Sequence, residues 1–431
     1  MKKVMLKTSL GIAVALASSQ LFASGFALNE QSVSGMGTGF AGRSSSAEDA
    51  STVFGNPAGM SRLKRDQMTV GGAAVIAKSD ISGRGSNFGG ETDGDMVPVV
   101  GVPMGYYVKK LDDQWSVGFG VYVPFGLVTD YGSDDAARFW GKKSHVEVVT
   151  FQPTVSYAFN DKVSIGFGPT FNRIKGELGS NLNNPFTGSQ GEVKIKGDDT
   201  AVGYNIGILV QATDRTRVGL TYHSMVDYKL EGKTKVSYSV PGLINLDGNK
   251  FDASLKIKTP ESVDFSVTHE LDDQWTLYAG STWTRWSRLK DITVNNELPA
   301  ALAANPLGGA FGTITEEQNW HDTWAHAIGA SYKVNKEWTL RTGFSVDQSP
   351  TNNTNRSPRI PTGDRKIFSI GAGWSPTDDM TIDVAYSYLW EEDTKVNNQP
   401  HSLTEAGLKG SYQAKYENSA HGVGASLTYR F

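Results

Sequence analysis

The clearest pattern in the chain is a strict alternation of apolar and polar residues over long segments. Before the C-terminus, the residues of one parity are apolar or aromatic: Val423, Ala425, Leu427, Tyr429 and Phe431. Segments 338–346 and 380–390 alternate in the same way. Alternation over nine or more residues is longer than ordinary strands and suits a tilted strand that crosses a bilayer. The pattern therefore predicts an all-β membrane protein.

Short turns rich in Asp and Asn separate the alternating segments. They lie at 111–114, 160–161, 214–215, 272–274, 335–337 and 377–379. Longer polar segments lie near 81–95, 132–143, 179–199, 237–251, 295–316, 348–365 and 396–409. Six short turns and seven long loops predict a 14-stranded antiparallel barrel with both of its ends on the short-turn side. A soluble β-sandwich is the alternative, and the strand length and the one-sided loop asymmetry disfavour it.

The N-terminus carries an export signal. Lys2, Lys3 and Lys7 precede an apolar run from Leu10 to Leu16, and Leu21-Phe22-Ala23 is a suitable cleavage site before Ser24. This arrangement is typical of a secretory signal peptide over residues 1–23, and it is too short for a membrane-spanning helix. The chain is therefore expected to leave the cytoplasm.

Charge and cysteine content exclude several classes of function. The formal charge is −4, and it becomes −7 once the three lysines of the signal peptide are removed. No basic block is present, so no nucleic-acid partner is expected. The chain has no cysteine, which excludes disulfides and thiolate chemistry. Gly37 to Gly42 matches GxGxxG without the flanking strand and helix of a dinucleotide site, and the histidines lack metal-binding spacing, so neither cofactor nor metal is predicted.

Residues 24–65 differ from the rest of the chain. Glycines and serines favour irregular backbone there, yet the segment also contains apolar side chains that need burial: Phe26, Leu28, Val33, Met36, Phe40, Val53, Phe54 and Met60. A barrel of 14 strands has a lumen too wide for its own side chains to fill. Residues 24–65 are therefore predicted to plug the barrel formed by residues 66–431.

Several of these features together resemble the FadL family of outer-membrane long-chain fatty acid transporters. They are the signal peptide, Gly25–Glu30, Asn56-Pro57-Ala58 towards the end of the plug, Arg359-Ile360-Pro361 and the terminal Phe431. The resemblance covers essentially the whole chain. It implies energy-independent uptake of long-chain fatty acids or similar hydrophobic molecules across the outer membrane. Gly25, Asn56, Pro57 and Ala58 are then candidates for holding or gating the plug.

The resemblance also suggests residues that bind the ligand. Arg173 matches a family position proposed to contact the carboxylate, with Lys175 and His321 as possible helpers and Phe26 as an apolar contact. Strand parity directs Arg173 outward, as an arginine at the lipid head groups would be. A bulge near Pro169 is needed to turn it into the lumen.

Prolines near mid-height predict a lateral opening in the wall. Pro103, Pro124, Pro153 and Pro169 fall on four consecutive predicted strands. Proline cannot donate to a strand ladder, and a closed barrel has no edge to accommodate it. Pro124-Phe125-Gly126 is the strongest interruption, and the family resemblance likewise implies an inward kink in this third strand. The opening is predicted beside the third and fourth strands.

The sequence leaves the ligand open. Alkanes or aromatic hydrocarbons are an alternative to fatty acids, since both need apolar cavities. A general porin or a barrel hydrolase is less favoured, and no enzymatic activity is predicted. The expected partners are the hydrophobic ligand, outer-membrane lipid and lipopolysaccharide, and the barrel-assembly machinery through Phe431. The protein is expected to be a monomer.

Overall fold

Long antiparallel strands dominate the chain. The computed structural model describes residues 25–92 and 95–431. The predicted signal peptide, residues 1–23, and Ser24 therefore lie outside the described residues. Within the described ranges, no helix is long and apolar enough to cross a membrane.

The strands are β1 Gln67–Ser86, β2 Val100–Lys110, β3 Trp115–Asp130, β4 Lys143–Ala158, β5 Val163–Asn183, β6 Gln190–Thr213, β7 Thr216–His223, β8 Val226–Ser237, β9 Ser239–Val240, β10 Ile244–Asn245, β11 Asn249–Thr259, β12 Ser262–Glu270, β13 Trp275–Thr284, β14 Asp291–Asn296, β15 Thr313–Glu317, β16 Thr323–Lys333, β17 Trp338–Asp347, β18 Arg365–Thr377, β19 Met380–Glu391, β20 Thr394–Asn398 and β21 Tyr412–Arg430. The helices are α1 Val33–Gly37, α2 Thr52–Gly55, α3 Arg138–Gly141, α4 Ala300–Ala303, α5 Pro306–Gly309 and α6 Leu403–Leu408. Two 3₁₀ helices span Pro57–Arg62 and Trp286–Arg288.

One sheet of 19 of these strands forms the wall, and β9 and β10 form a separate small hairpin. The sheet closes on itself because β21 pairs with β1 from Gln67↔Arg430 to Ser86↔Tyr412. Five wall strands are interrupted and consist of two consecutive segments each: β7 with β8, β11 with β12, β13 with β14, β15 with β16, and β19 with β20. The wall therefore has 14 antiparallel strands, which confirms the predicted barrel.

The alternation in sequence becomes an apolar outer face and a polar inner face. On β18, Phe368 and Ile370 are 45% and 47% exposed, whereas Ser369 between them is fully buried in the lumen. A closed ladder pairs the backbone within the wall, so only side chains meet the surroundings. The apolar parity can thus face lipid on every strand.

The predicted short turns join neighbouring strands, and their Asp side chains shape them. The Oδ1 atom of Asp112 accepts hydrogen bonds from the backbone N–H groups of Gln114 (2.8 Å) and Trp115 (2.7 Å). These donors, Trp115 first, lower the pKa of Asp112. The turn at 272–275 repeats both bonds. The Trp115 ring packs on Tyr157 with centroids 4.7 Å apart, as expected of an aromatic belt at the interface.

The predicted loop at 179–199 is wrong. β5 and β6 stay paired out to Asn183↔Gln190, so only residues 184–189 connect them. The alternation persists in this hairpin, with Val193 and Ile195 inward. Its outward positions carry charges, however, and the resulting low hydropathy concealed the strands.

Residues 25–61 lie inside the barrel, against its inward face, and the exposed residues Arg62, Lys64 and Arg65 lie at its short-turn end. Residues 25–65 contain α1, α2 and the 3₁₀ helix Pro57–Arg62, where the sequence suggested irregular backbone only. Wall glycines make room for them: a Cβ at Gly371 would lie 2.8 Å from the Cα of Gly37, and a Cβ at Gly207 would collide with the Asn56 side chain. The division into a plug of residues 24–65 and a barrel of residues 66–431 stays a prediction.

Candidate functional site

A cavity of about 130 Å³ lies in the lumen between the N-terminal segment and the wall. We call it the lumen cavity. Its lining includes Leu28, Phe40, Arg43 and Phe54 from the segment, and Pro124 and Phe125 from β3. One side of the cavity is therefore made by the N-terminal segment and the other by the wall.

Phe26 lies in an aromatic cluster beside this cavity. Its ring centroid is 5.0 Å from Trp286, 6.1 Å from Trp320 and 5.7 Å from Phe125. Gly25 precedes it with φ +66°, and a Cβ there would lie 2.5 Å from Trp320. Glycine is the residue that tolerates both the left-handed backbone and this close approach. Gly25 thus allows the N-terminal segment to place Phe26 in the cluster, where it is 3% exposed.

Two further cavities continue the apolar surface outward. The loop cavity, about 440 Å³, lies among the long loops, and the connecting cavity, about 50 Å³, lies below it. Both are lined by Leu178, Ile195, Ile292 and Val294. The connecting cavity is also lined by Ile174, Leu230 and Ile257, which pack in the same core cluster as Phe26. A nearly unbroken apolar lining therefore leads from the loops to the lumen cavity.

The wall is broken where this path reaches β3. Pairing between β2 and β3 ends at Gly105↔Val121. The register of β3 against β4 shifts between Tyr122 and Phe125, around Pro124. Beyond these residues, β3 is paired on its β4 side only.

The backbone groups freed at this break bond to the N-terminal segment. Leu28 N donates to Pro124 O (2.8 Å), and Gly126 N donates to Phe26 O (2.9 Å). Gln31 Nε2 donates to Val123 O (2.6 Å). Residues 26–31 thus act as a substitute strand, because buried backbone groups need partners.

The predicted location of the opening needs correction. The ladder between β3 and β4 resumes at Phe125↔Val148 and continues to Asp130↔Lys143, so these strands are not separated. The break lies between β2 and β3, with Pro103 on the free part of β2. Pro153 interrupts the ladder between β4 and β5, whose register resumes unchanged.

Asn56-Pro57-Ala58 connects the segment to the wall. Asn56 Nδ2 donates to Ser44 O (2.7 Å) and to Ile208 O on β6 (3.0 Å), and its Oδ1 accepts from Ala58 N (3.0 Å). Pro57 begins the 3₁₀ helix, where its missing N–H costs nothing. The hydroxyl of Ser164 on β5 donates to Ala58 O (3.0 Å). A role of this motif in gating stays a prediction.

The structure does not bring the predicted head-group residues to the cavity. Strand β5 has no bulge near Pro169 that would turn Arg173 into the lumen, because it pairs with β6 from Val163 to Asn183 without a shift. Arg173 therefore faces outward, with its Nη2 atom 3.3 Å from Asp198 Oδ2, and Lys175 lies exposed on the same face. His321 is exposed as well, and its backbone N donates to Pro350 O. A carboxylate-binding role for these three residues gains no support from this geometry.

Sequence reasoning missed Arg43. Its Nη2 atom donates to Asn29 Oδ1 (2.8 Å), and its guanidinium lies 6.0 Å from the centre of the Phe40 ring. Across residues 25–92 and 95–431, no carboxylate oxygen lies within the 4.0 Å ion-pair distance of Arg43. The signal was available, since Arg43 is the only basic residue between positions 24 and 60.

Other cations near the path are already compensated. In the lumen, Arg341 pairs with Glu48 (3.0 Å) and Asp383 (2.7 Å). At the loop cavity, Arg359 of the Arg-Ile-Pro motif pairs with Glu316 (2.9 Å), and Lys409 pairs with Glu405 (3.0 Å).

The ion pair with Lys409 also affects the pKa of the Glu405 carboxyl group. Burial alone would raise the pKa of Glu405, but the Lys409 charge and nearby donors lower it overall. Both loop-cavity cations thus have carboxylate partners, whereas Arg43, among the residues that the structure describes, has no carboxylate oxygen within 4.0 Å.

Comparisons with known proteins agree with this geometry. Residues 14–431 match the family model "Outer membrane protein transport protein (OMPP1/FadL/TodX)". The chain is similar to the long-chain fatty acid transport protein of Escherichia coli O6:H1, at 28% identity over 100% of this chain and 99% of the relative. It is also similar to outer membrane protein P1 of Haemophilus influenzae, at 27% identity over 98% of each chain.

Solved structures share the fold. A Pseudomonas aeruginosa FadL homologue superposes with a TM-score of 0.84 at 24% identity, covering 94% of this chain and 100% of the homologue. The Ralstonia pickettii toluene transporter TbuX superposes with a TM-score of 0.69 at 18% identity, covering 95% and 99%. The closed barrel, its apolar outer face and the relatives named as outer membrane proteins place the chain in the outer membrane. The chain belongs to the outer membrane protein transport family that includes FadL and TodX.

Proposed function

We propose that the protein takes up long-chain fatty acids, or closely similar amphiphiles, across the outer membrane without energy input. The observation that carries this proposal is the apolar path from the loop cavity to the lumen cavity, which ends at a break in the wall. Downhill partition along apolar surface requires no reaction, so we propose no enzymatic role.

The path suggests an order of events. A ligand enters the loop cavity, passes the connecting cavity and reaches the lumen cavity beside Phe26. Residues 26–31 then separate from β3, and the ligand leaves through the break between β2 and β3 into the bilayer. The segment 24–65 acts as the plug in this scheme, and Asn56-Pro57-Ala58 keeps its far end in place while the near end moves.

Arg43 favours an anionic head group over a plain hydrocarbon. A cation in a confined site is stabilised by a partner of opposite charge, and a carboxylate can accept two hydrogen bonds from one guanidinium. Relatives include a fatty acid transport protein and a toluene transporter, so hydrocarbon uptake is the second candidate. The position of Arg43 in the lining of the lumen cavity, without a carboxylate oxygen within 4.0 Å, supports the first candidate.

Uptake assays test the function directly. Cells that lack their own fatty acid transporter should accumulate radiolabelled palmitate when they express the full chain, and labelled hexadecane much less. Liposomes containing the purified protein should not swell in small sugars, as a general porin would make them do. Sugar permeation, or palmitate uptake equal to that of cells without the protein, would contradict the proposal.

The remaining partners belong to the same proposal. The barrel lies among outer-membrane lipids and lipopolysaccharide, and it works as a monomer. The assembly machinery recognises the last strand through Phe431, whose ring is 60% exposed and lies 5.1 Å from that of Tyr429. No nucleic acid, metal or cofactor takes part.

A further inference from the structure

One stretch of the outer wall is basic although the chain as a whole is acidic. The lipid-facing apolar band on β5 and β6 ends at the directly opposed residues Phe171 and Val202, which are 47% and 62% exposed. Beyond them, the same face of the wall continues with Arg173 and Lys175. The long hairpins of β4, β5, β6, β8 and β11 then carry this face further outward.

A row of lysines crosses these hairpins. Lys194 on β6 lies directly opposite Lys235 on β8, and Lys235 lies directly opposite Lys250 on β11. Lys143 on β4 joins the row across Gly179. Directly opposed residues have Cβ atoms roughly 4.5–5.5 Å apart, and like charges in this position destabilise the sheet. The row therefore needs anions from somewhere.

The protein supplies anions to one end of the row only. Glu177 lies 2.8 Å from Lys194 Nζ and 3.8 Å from Lys143 Nζ. In the part of the chain that the structure describes, no carboxylate oxygen lies within 4.0 Å of Lys235 or Lys250. Both side chains are exposed. The pair Lys235–Lys250 thus has no anionic partner among the described residues.

Neighbouring lysines on the same hairpins form ion pairs with aspartates of the chain. Lys233 lies 2.5 Å from Asp252, and Lys258 lies 3.3 Å from Asp227. The uncompensated pair indicates a partner outside the chain.

The height of the lysine row above the apolar band limits which anionic groups can reach it. Lys194 is eight residues beyond Val202 on β6, which is roughly 26 Å along the strand and about 20 Å above the apolar band for a tilt near 40°. The head-group region of a bilayer extends only about 5–8 Å beyond the hydrocarbon on each side. Ordinary phospholipid phosphates therefore stay below the row, whereas the phosphorylated core sugars of a glycolipid reach it.

We propose that Lys235 and Lys250, with Lys194 beside them, bind phosphate groups on the core sugars of lipopolysaccharide in the surrounding leaflet. Arg173 and Lys175, two and four residues beyond Phe171, face the phosphates closer to the membrane. This inference rests on the outer-membrane location in the proposed function, and it does not depend on the ligand that the barrel transports.

Binding of defined lipopolysaccharides to the purified full chain tests the site. The probes are lipopolysaccharide with a phosphorylated core, the same molecule after enzymatic dephosphorylation of the core, and phosphatidylglycerol vesicles. The chain should bind the first probe at least about tenfold more tightly than the second, and raising the salt concentration should narrow this difference. Equal affinity for the first two probes, or a preference for phosphatidylglycerol, would overturn the proposal.

Variants then locate the site. Lys235→Gln with Lys250→Gln should abolish the preference for the phosphorylated core. A matched control, Lys78→Gln with Lys415→Gln, removes two lysines that pair within the chain, with Asp80 (2.8 Å) and Asp393 (2.7 Å), and it should retain the preference. Equal loss in both double variants would overturn the assignment.

Palmitate binding separates this test from the proposed function, because it should be unchanged in the Lys235→Gln, Lys250→Gln variant. If that variant loses palmitate binding too, the double variant Lys235→Arg, Lys250→Arg, which keeps both positive charges, tests the site instead. This variant must keep the preference for the phosphorylated core, and its loss would count against the site.

Discussion

The barrel wall differs on its two sides. Around β17 and β18, the ladder runs along the whole of Trp338–Asp347 without a register shift. Beside β3, the ladder to β2 stops at Gly105↔Val121, and the freed backbone groups bond to residues 26–31. Opening the first side would break a complete strand ladder, whereas opening the second breaks a few bonds to the plug. One closed wall thus combines a continuous strand ladder with a place where residues 26–31 replace part of a neighbouring strand.

Removing the N-terminal segment should have the largest effect, because it unseals the broken side of the wall and leaves the continuous side unchanged. Deletion of Ser24–Met60 takes away the substitute strand and empties the lumen while leaving the continuous side paired. Conductance to small polar solutes in planar bilayers should rise roughly tenfold or more, since a lumen of 14 strands is too wide for wall side chains to fill. Unchanged conductance would mean that the wall and loops close the channel without residues 24–60.

The next largest effect concerns the affinity for ligand in the lumen cavity, beside the break in the wall. Arg43→Gln removes a cation from the lining of the lumen cavity but leaves a polar side chain. Palmitate affinity should fall about 10- to 100-fold, as expected for a charge-assisted hydrogen bond, and hexadecane affinity should stay the same. Arg173→Gln is the matched control on the outer face and should change neither. Equal losses for palmitate and hexadecane would show that Arg43 only packs.

The smallest expected effect is on the rate of ligand release, and it depends on one hydrogen bond at the break. Gln31→Met removes the hydrogen bond to Val123 O at the break, and a neutral hydrogen bond contributes about 1 kcal/mol. Palmitate release from the loaded protein should quicken about fivefold. Ser369→Ala removes the hydroxyl contact with Ser387 (2.7 Å) on the continuous side and should leave release unchanged. A slower release from the Gln31 variant would contradict the proposed gate.

Much of this architecture follows from sequence because a barrel strand obeys a period of two. The alternation through Tyr429 and Phe431 predicted the strands, and parity alone directed Arg173 outward. The suggested bulge that would have reversed it was wrong, since Pro169 sits in an unshifted ladder. The hairpin at 179–199 was missed because its outward residues are charged.

The site was harder to predict than the fold. A proline in the sequence indicates a missing N–H donor, but it does not indicate which neighbouring strand loses its hydrogen bond. Pro124 therefore predicted a break, but it could not show that the break lies between β3 and β2. Arg43 belongs to an irregular segment with no periodicity, and its place in the lumen cavity depends on contacts with distant strands. Its isolation as the only basic residue between positions 24 and 60 was the one available signal.

The central claim is that ligand leaves through the break between β2 and β3, and a reversible crosslink tests it most directly. The chain has no native cysteine, so Pro103→Cys with Val123→Cys can be bridged across the break by a short, reducible thiol reagent. Phe344→Cys with Phe368→Cys places the same bridge between directly opposed residues on the continuous side. Palmitate uptake should fall to background when the break is bridged and return on reduction, while the control bridge leaves uptake unchanged. Full uptake with the break bridged would contradict lateral exit and would direct the ligand through the short-turn end of the barrel instead.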